Sequence, residues 1–197
     1  MKAILFDLDG VLVDSYDCWW SMINEVLEQQ GKRPLTEAEF DATWGQGPEE
    51  DQQMFFPDKP IADVLRYYVQ NFSRHLHLLK IEPSALPALQ KLRENGKKLG
   101  VASNSPTGIV EQLLRYAKLY QYFDVLVGVE QVARAKPEPD MIFELCKRLD
   151  VSIKDACYVG DSIYDENAAK AAQIYFVGFK RSGMKTIQDL GELAWIF

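Results

Sequence analysis

The stretch "AILFDLDGVLVDS", residues 3–15, decides the fold. Ala3 to Phe6 read as a short strand buried on both faces, and the chain then sets two carboxylates, Asp7 and Asp9, at its carboxyl end. Charge is expensive to bury there, so something must neutralise it. Working outward, four similar runs follow: "LGVA" (99–102), "DVLVG" (124–128), "ACYVG" (156–160) and "IYFVG" (174–178). Helical patterns separate them. Short apolar runs alternating with helices predict a parallel sheet covered on both faces, a doubly wound α/β fold of Rossmann-like kind.

One gap breaks the rhythm. Roughly ninety residues separate the first two strands, against the ~30 of a simple βαβ unit. A helix starting at Ser15 carries Trp19, Ile23, Val26 and Leu27 and ends at Gly31. "TEAE" (36–39) reads as a capping box before a short helix bearing Phe40 and Trp44. After "GQGP" comes a third short helix, and Ile61, Val64, Leu65, Tyr68, Phe72, Leu76 and Leu79 trace a long apolar stripe. The expectation is therefore an α/β core of residues 1–14 and 83–197 and an inserted bundle of about four helices, 15–82. The two linkers are candidate hinges; a rigidly docked insertion is the alternative.

A chain of 197 residues, 47% hydrophobic, has material for a real core. The net charge of -7 argues against a broad basic face for nucleic acid, but a local cation can still hold a small anionic substrate. Cys18, Cys146 and Cys157 lack paired spacing and predict buried reduced thiols. No apolar run approaches the ~18 residues that span a bilayer, so a cytoplasmic protein is expected.

Ligands of doubly wound sheets bind beyond the carboxyl ends of the strands. That rule singles out Asp7 and Asp9, then Ser103 in "SNSP", Lys136 in "ARAKPEPD", and Asp161 and Asp165 in "GDSIYD". Singly, each has an ordinary explanation as turn or cap chemistry, and Ser105 with Pro106 looks like a helix start. Together, in order, each near a strand end, they predict one site. Several carboxylates in one cleft repel unless a cation joins them; Lys136 supplies one charge, and hard oxygen ligands suit Mg²⁺. His75 and His77 lie in the insertion and are expected at the surface rather than on zinc.

"DLDGVLVDS", "ASNS", the lysine of "AKPEPD" and "GDSIYDENAA" together resemble the haloacid dehalogenase superfamily of phosphohydrolases, over essentially the whole chain. The similarity is to the branch with a helical cap after the first motif, which includes phosphoglycolate-phosphatase-like and β-phosphoglucomutase-like enzymes. The resemblance implies a Mg²⁺-dependent phosphatase of a small phosphomonoester. It implies Asp7 as nucleophile, forming an aspartyl phosphate, and Asp9 as acid and then base. It makes Asp7, Asp161 and the Asp9 carbonyl the metal ligands. Ser103 and the Asn104 N–H would hold phosphoryl oxygens, Lys136 would neutralise their charge, and Asp165 would orient Lys136 or a metal-bound water. Asp9 favours phosphoryl chemistry over dehalogenation, which needs no acid for its leaving group.

A phosphomutase is the first alternative, weakened because Trp19 and the acidic "GPEEDQQ" stand where a mutase cap presents a histidine and a basic residue. A signalling receiver or a silent phosphate-binding relative is the second; receivers place their acceptor at the third strand, not the first. The partners expected are a small phosphorylated metabolite, with no nucleic acid or membrane, in a monomer or weak homodimer. Trp19, Trp20 and Trp44 are expected in the bundle core, with a wall of the leaving-group site as the alternative. The "GQG" turn either faces the active site or merely joins two helices. The terminal "LAWIF" either packs on the sheet or meets a second subunit.

Overall fold

The computed structural model describes residues 1–180 and 185–197. Its strands are β1 (Ala3–Asp7), β2 (Val13–Asp14), β3 (Lys80–Ile81), β4 (Lys98–Ala102), β5 (Val125–Val127), β6 (Ala156–Gly160), β7 (Tyr175–Phe179) and β8 (Thr186–Ile187). Six of them form one parallel sheet in the order β5-β4-β1-β6-β7-β8. Five of those six coincide with the runs expected from sequence; β8, two residues long, is too short to carry a pattern.

The sheet is buried on both faces because its central strands β1, β4 and β6 are apolar but for Asp7 and Lys98 at strand ends. Ile4 and Phe6 pack on one side with α5 (Ala85–Glu94) and α6 (Thr107–Tyr116), while Ala3 and Leu5 pack on the other with α7 (Asp140–Arg148) and α8 (Ile163–Ala172). The odd and even residues of one strand thus feed two separate cores, as a period of two requires. The C-terminal α9 (Leu193–Ile196) returns to the first of these: Leu193 is fully buried and Phe197 packs beside it, but Trp195 points outward at 92% exposure.

Between β2 and β3 run α1 (Tyr16–Gln29), α2 (Glu37–Asp41), α3 (Pro48–Phe55), α4 (Ile61–Asn71) and a 3-10 helix, Phe72–Leu78. The predicted capping box is present, with Thr36 and Glu39 exchanging bonds at the start of α2. Gly31 (φ +69°) and Gly96 (φ +70°) supply the left-handed turns that end α1 and α5. β2 and β3 are antiparallel, pairing Val13 with Ile81 and Asp14 with Lys80 where the chain leaves and re-enters the sheet region. Val69 of α4 lies against Gly108 of α6, and Gln112 donates to the Val69 carbonyl at 2.8 Å, so α4 docks directly on the sheet-covering layer.

Three local expectations change. The apolar stripe is not one helix, since α4 stops at Asn71 and the tighter 3-10 turn rotates Phe72 and Leu76 inward. α6 starts at Thr107 with Pro106 before it, leaving Ser105 outside; a proline's fixed φ serves the entry without a side-chain cap. His75 is buried, its Nδ1 3.0 Å from Ser21 Oγ, because it lies next to Leu76 on the inward face; His77 is exposed as expected. Among the described residues no helix is long and apolar enough to cross a membrane.

Candidate active site

β1 lies between β4 and β6, so the carboxyl ends of three strands meet at one edge. Asp7 ends β1, Ser103 and Asn104 follow β4, and Asp161 follows β6; Lys136 arrives from the loop between β5 and α7. All five line one cavity of about 440 Å³ with Asp9. Asp165, the remaining residue singled out by sequence, is fully buried behind them in the first turn of α8.

Lys136 is the electrostatic centre. Its ammonium, 7% exposed as a residue, donates to Asp7 Oδ1 at 2.5 Å, to Asp165 Oδ1 at 2.8 Å and to Tyr158 Oη at 3.2 Å. Burial alone favours neutral lysine, but Asp165 and Asp7 outweigh it and hold the ammonium well above the usual lysine range. Its main chain is fixed as well: Asn104 donates through Nδ2 to the Lys136 carbonyl and accepts from its N–H, both at 3.0 Å.

The carboxylates divide by environment. Burial raises Asp165, but Lys136 and the bonds from Lys136, Ser162 and Tyr158 lower it further, leaving it below the usual carboxylate range. Both of its oxygens are committed, Oδ1 to Lys136 and Tyr158, Oδ2 to the N–H and hydroxyl of Ser162. Asp7 is instead raised well above the ordinary range, by burial first and Asp165 second. Burial also lifts Asp9 to about 6, against the lowering effect of the Ser15 hydroxyl that donates to its Oδ1. Asp161 is raised to about 6 by burial and then by Asp165.

One lysine does not balance four carboxylates. Oxygens of Asp7, Asp161 and Asp165 lie within 4.8 Å of one another. That donor set of hard oxygens, with excess negative charge, fits a divalent cation, and the saturated Asp165 is the member least able to ligate it.

Gly10 makes the turn possible. Its φ of +80° suits glycine, and its N–H donates to the Val13 carbonyl at 2.7 Å. A Cβ there would sit 2.0 Å from Asp161 Oδ2. Gly10→Ala is therefore expected to cost about 2 to 4 kcal/mol in urea unfolding, strain plus displacement of Asp161. Gly31→Ala, with a similar φ but nothing within 4 Å of its Cβ, isolates the strain at about 1 kcal/mol. Equal losses in the two variants would mean that Asp161 yields freely.

The far wall of the cavity comes from the helical insertion. Tyr16, Trp19, Trp44 and Tyr68 line it, as do Gly45 and Gln46 of the "GQG" turn. Trp19 meets both readings, packing on Tyr68 and Phe72 of the bundle while lining the cavity; Trp44 takes the alternative reading and lies in the turn beyond α2, not within it. Trp20 packs on Phe40 as expected. Sequence reasoning did not single out Gly10, Ser15, Tyr158 or Ser162. Ser162 carried a readable signal, a serine three residues before an acidic residue at a helix start, and Gly10 carried the Asp-Gly pair of a turn.

A lysine buried among carboxylates at the carboxyl edge of a parallel sheet, facing a cavity roofed by an inserted helical layer, is a site suited to a divalent cation and a small anionic group. The chain belongs to the haloacid dehalogenase-like hydrolase family, whose model matches residues 4–179. It is similar to a phosphorylated carbohydrates phosphatase of Thermotoga maritima, 30% identical over 100% of this chain and 94% of the relative. A phosphoglycolate phosphatase of Nitrosospira multiformis is 29% identical over 87% of this chain and 80% of its own length. The crystal structure of CbbY from Rhodobacter sphaeroides in complex with phosphate superposes with a TM-score of 0.84 at 25% identity, covering 98% of this chain and 96% of that one.

Proposed function

We propose that the protein is a cytoplasmic Mg²⁺-dependent phosphatase that hydrolyses a small phosphomonoester through an aspartyl phosphate. The observation that carries this reading is the pairing of a buried lysine with Asp7 in a cavity that also holds Asp9 and Asp161. The phosphatase names of the relatives and the phosphate in CbbY agree with it. The α/β core, 1–14 and 83–197, carries the chemistry, and the insertion, 15–82, acts as its cap.

In this reading a carboxylate oxygen of Asp7 attacks phosphorus as the bond to the leaving oxygen breaks, and Asp9 gives that oxygen its proton. Asp9 then takes a proton from the water that cleaves the acyl phosphate, returning Asp7 and releasing phosphate. The lift of Asp9 to about 6 by burial keeps its acid form accessible. Ser103 and the Asn104 N–H hold phosphoryl oxygens, while Lys136 neutralises charge that spreads over them. Asp165 positions Lys136. Asp7, Asp161 and the Asp9 carbonyl hold Mg²⁺, which lowers the repulsion between carboxylate and phosphate dianion.

Asp9→Asn provides the test. Hydrolysis of alkyl phosphates is expected to slow roughly 10²-fold or more, and that of nitrophenyl phosphate much less, since only the poor leaving group needs a proton. Equal losses in kcat/KM for the two ester types would remove Asp9 from the acid role. Loss of all turnover when the metal is chelated, restored by Mg²⁺, tests the cofactor. The cavity lining does not favour the mutase: Lys136 is the one cation among the described residues there, and a second phosphate has none to meet it.

A further inference from the structure

The phosphate end of the cavity has its cation, but the far end has the opposite character. Lys136 is already shared by Asp7 and Asp165, and the described lining holds no second cation to meet another anionic group on the substrate. Facing that end is Asp51, in the first turn of α3. Its carboxylate accepts from Gln46 Nε2 at 2.5 Å and from Tyr68 Oη at 3.1 Å. Both donors are neutral, and burial pushes the carboxyl up to about 6, so at neutral pH the cavity holds a charge that its own wall does not balance.

Aromatic rings line the same cavity, and one of them, Tyr68, bonds the carboxylate directly. Trp19 meets Tyr68 edge to face at 5.1 Å between centroids, and Tyr16 meets Trp44 at 5.0 Å. Trp44, 38% exposed, keeps apolar surface open beside the cavity. Rings around an anionic group are the surroundings in which an alkylammonium is bound, through cation–π attraction and charge together. A cavity of about 440 Å³ is at the small end of the range for ligand sites.

We propose, building on the phosphatase reading, that the substrate is the phosphate ester of an amino alcohol, its ammonium group held by Asp51 and the rings of Trp19, Trp44, Tyr16 and Tyr68. This chain then differs in substrate from its phosphoglycolate relatives, because a glycolate carboxylate would face Asp51 with no cation between them.

Three esters of nearly equal size and different head-group charge test this: 2-aminoethyl, 2-hydroxyethyl and carboxymethyl phosphate, with nitrophenyl phosphate as the reference for chemistry. The expected order of kcat/KM is cationic, neutral, anionic, with about tenfold or more between the first two. Asp51→Asn is expected to bring the cationic-to-neutral ratio close to one. A ratio is unaffected by loss of folded protein or of phosphoryl chemistry, which touches both esters alike. Asp51→Lys is expected to invert the preference toward the carboxymethyl ester.

Calorimetric binding of the same esters to Asp7→Asn reads the preference without turnover and should give the same order. A flat or inverted order in the wild type, or an Asp51→Asn ratio equal to the wild-type ratio, overturns the proposal. If the wild type leaves nitrophenyl phosphate intact, the phosphatase reading fails, and the calorimetric order alone then upholds or overturns the ammonium site.

Discussion

Asp7→Asn is expected to lower turnover of every phosphate ester by at least roughly 10³-fold and to leave the protein folded. The substitution keeps shape and removes the nucleophilic oxygen. Stability is retained because Asp165 and Tyr158 still hold the Lys136 ammonium, and the Asp7 charge is itself disfavoured by burial. Two measurements settle it: phosphate release at saturating Mg²⁺, and the urea midpoint. Near wild-type turnover would remove Asp7 from the mechanism, and a fall in both would leave its role structural.

Lys136→Met should lose both activity and stability, and the two losses are separable. Removing the ammonium leaves Asp7 and Asp165 buried without a cation, a defect of about 3 to 5 kcal/mol. For a chain of this size that is roughly 10 °C in Tm. Adding Asp165→Asn should restore much of the stability and none of the turnover, and a double-mutant cycle measures the coupling.

The sign of the pH dependence follows from the shifts. In the wild type the folded Asp165 pKa is depressed, so its contribution is present above the unfolded value of about 4 and is lost as pH falls through the folded value. Lys136 is raised, so its contribution is present below about 10 and is lost as pH rises through its folded value. Without Lys136, Asp165 is expected to rise, so the variant's deficit should be largest at neutral pH and shrink toward pH 4. A deficit independent of pH would mean that lost packing outweighs lost charge.

Much of this site was legible because its members follow strands. Apolar runs announce where strands end, and in a parallel sheet those ends share one edge, so the aspartates, Ser103 and Lys136 could be gathered without knowing the strand order. The order itself, with β1 at the centre, rests on pairings across 95 positions to β4 and 153 to β6, to which no local pattern points. Tyr158 was hidden by its setting, since in "ACYVG" it reads as one more buried strand residue, and only the fold brings its hydroxyl to Asp165 at 2.9 Å. Asn104 was read for its backbone N–H; its side chain bonds both ways with the Lys136 main chain, across 32 positions. His75 was judged by its polarity, although its place between Phe72 and Leu76 was the better guide. Glu49, Glu50 and Asp51 were read together as acids standing where a mutase cap grips a second phosphate, and only the fold separates them, the turn at Gly45 to Gly47 and the neighbouring Tyr68 setting Asp51 against the cavity.

The placement of the tryptophans has an optical consequence. Trp19 and Trp44 line the cavity, whereas Trp20 packs on Phe40 and Trp195 stands in solvent. Two indoles therefore sit where a ligand changes the polarity around them, and the other two emit against an unchanging background. Intrinsic emission can follow occupancy of the cavity in an unlabelled sample, and replacing Trp195 with phenylalanine removes the most water-quenched contribution without touching the cavity wall.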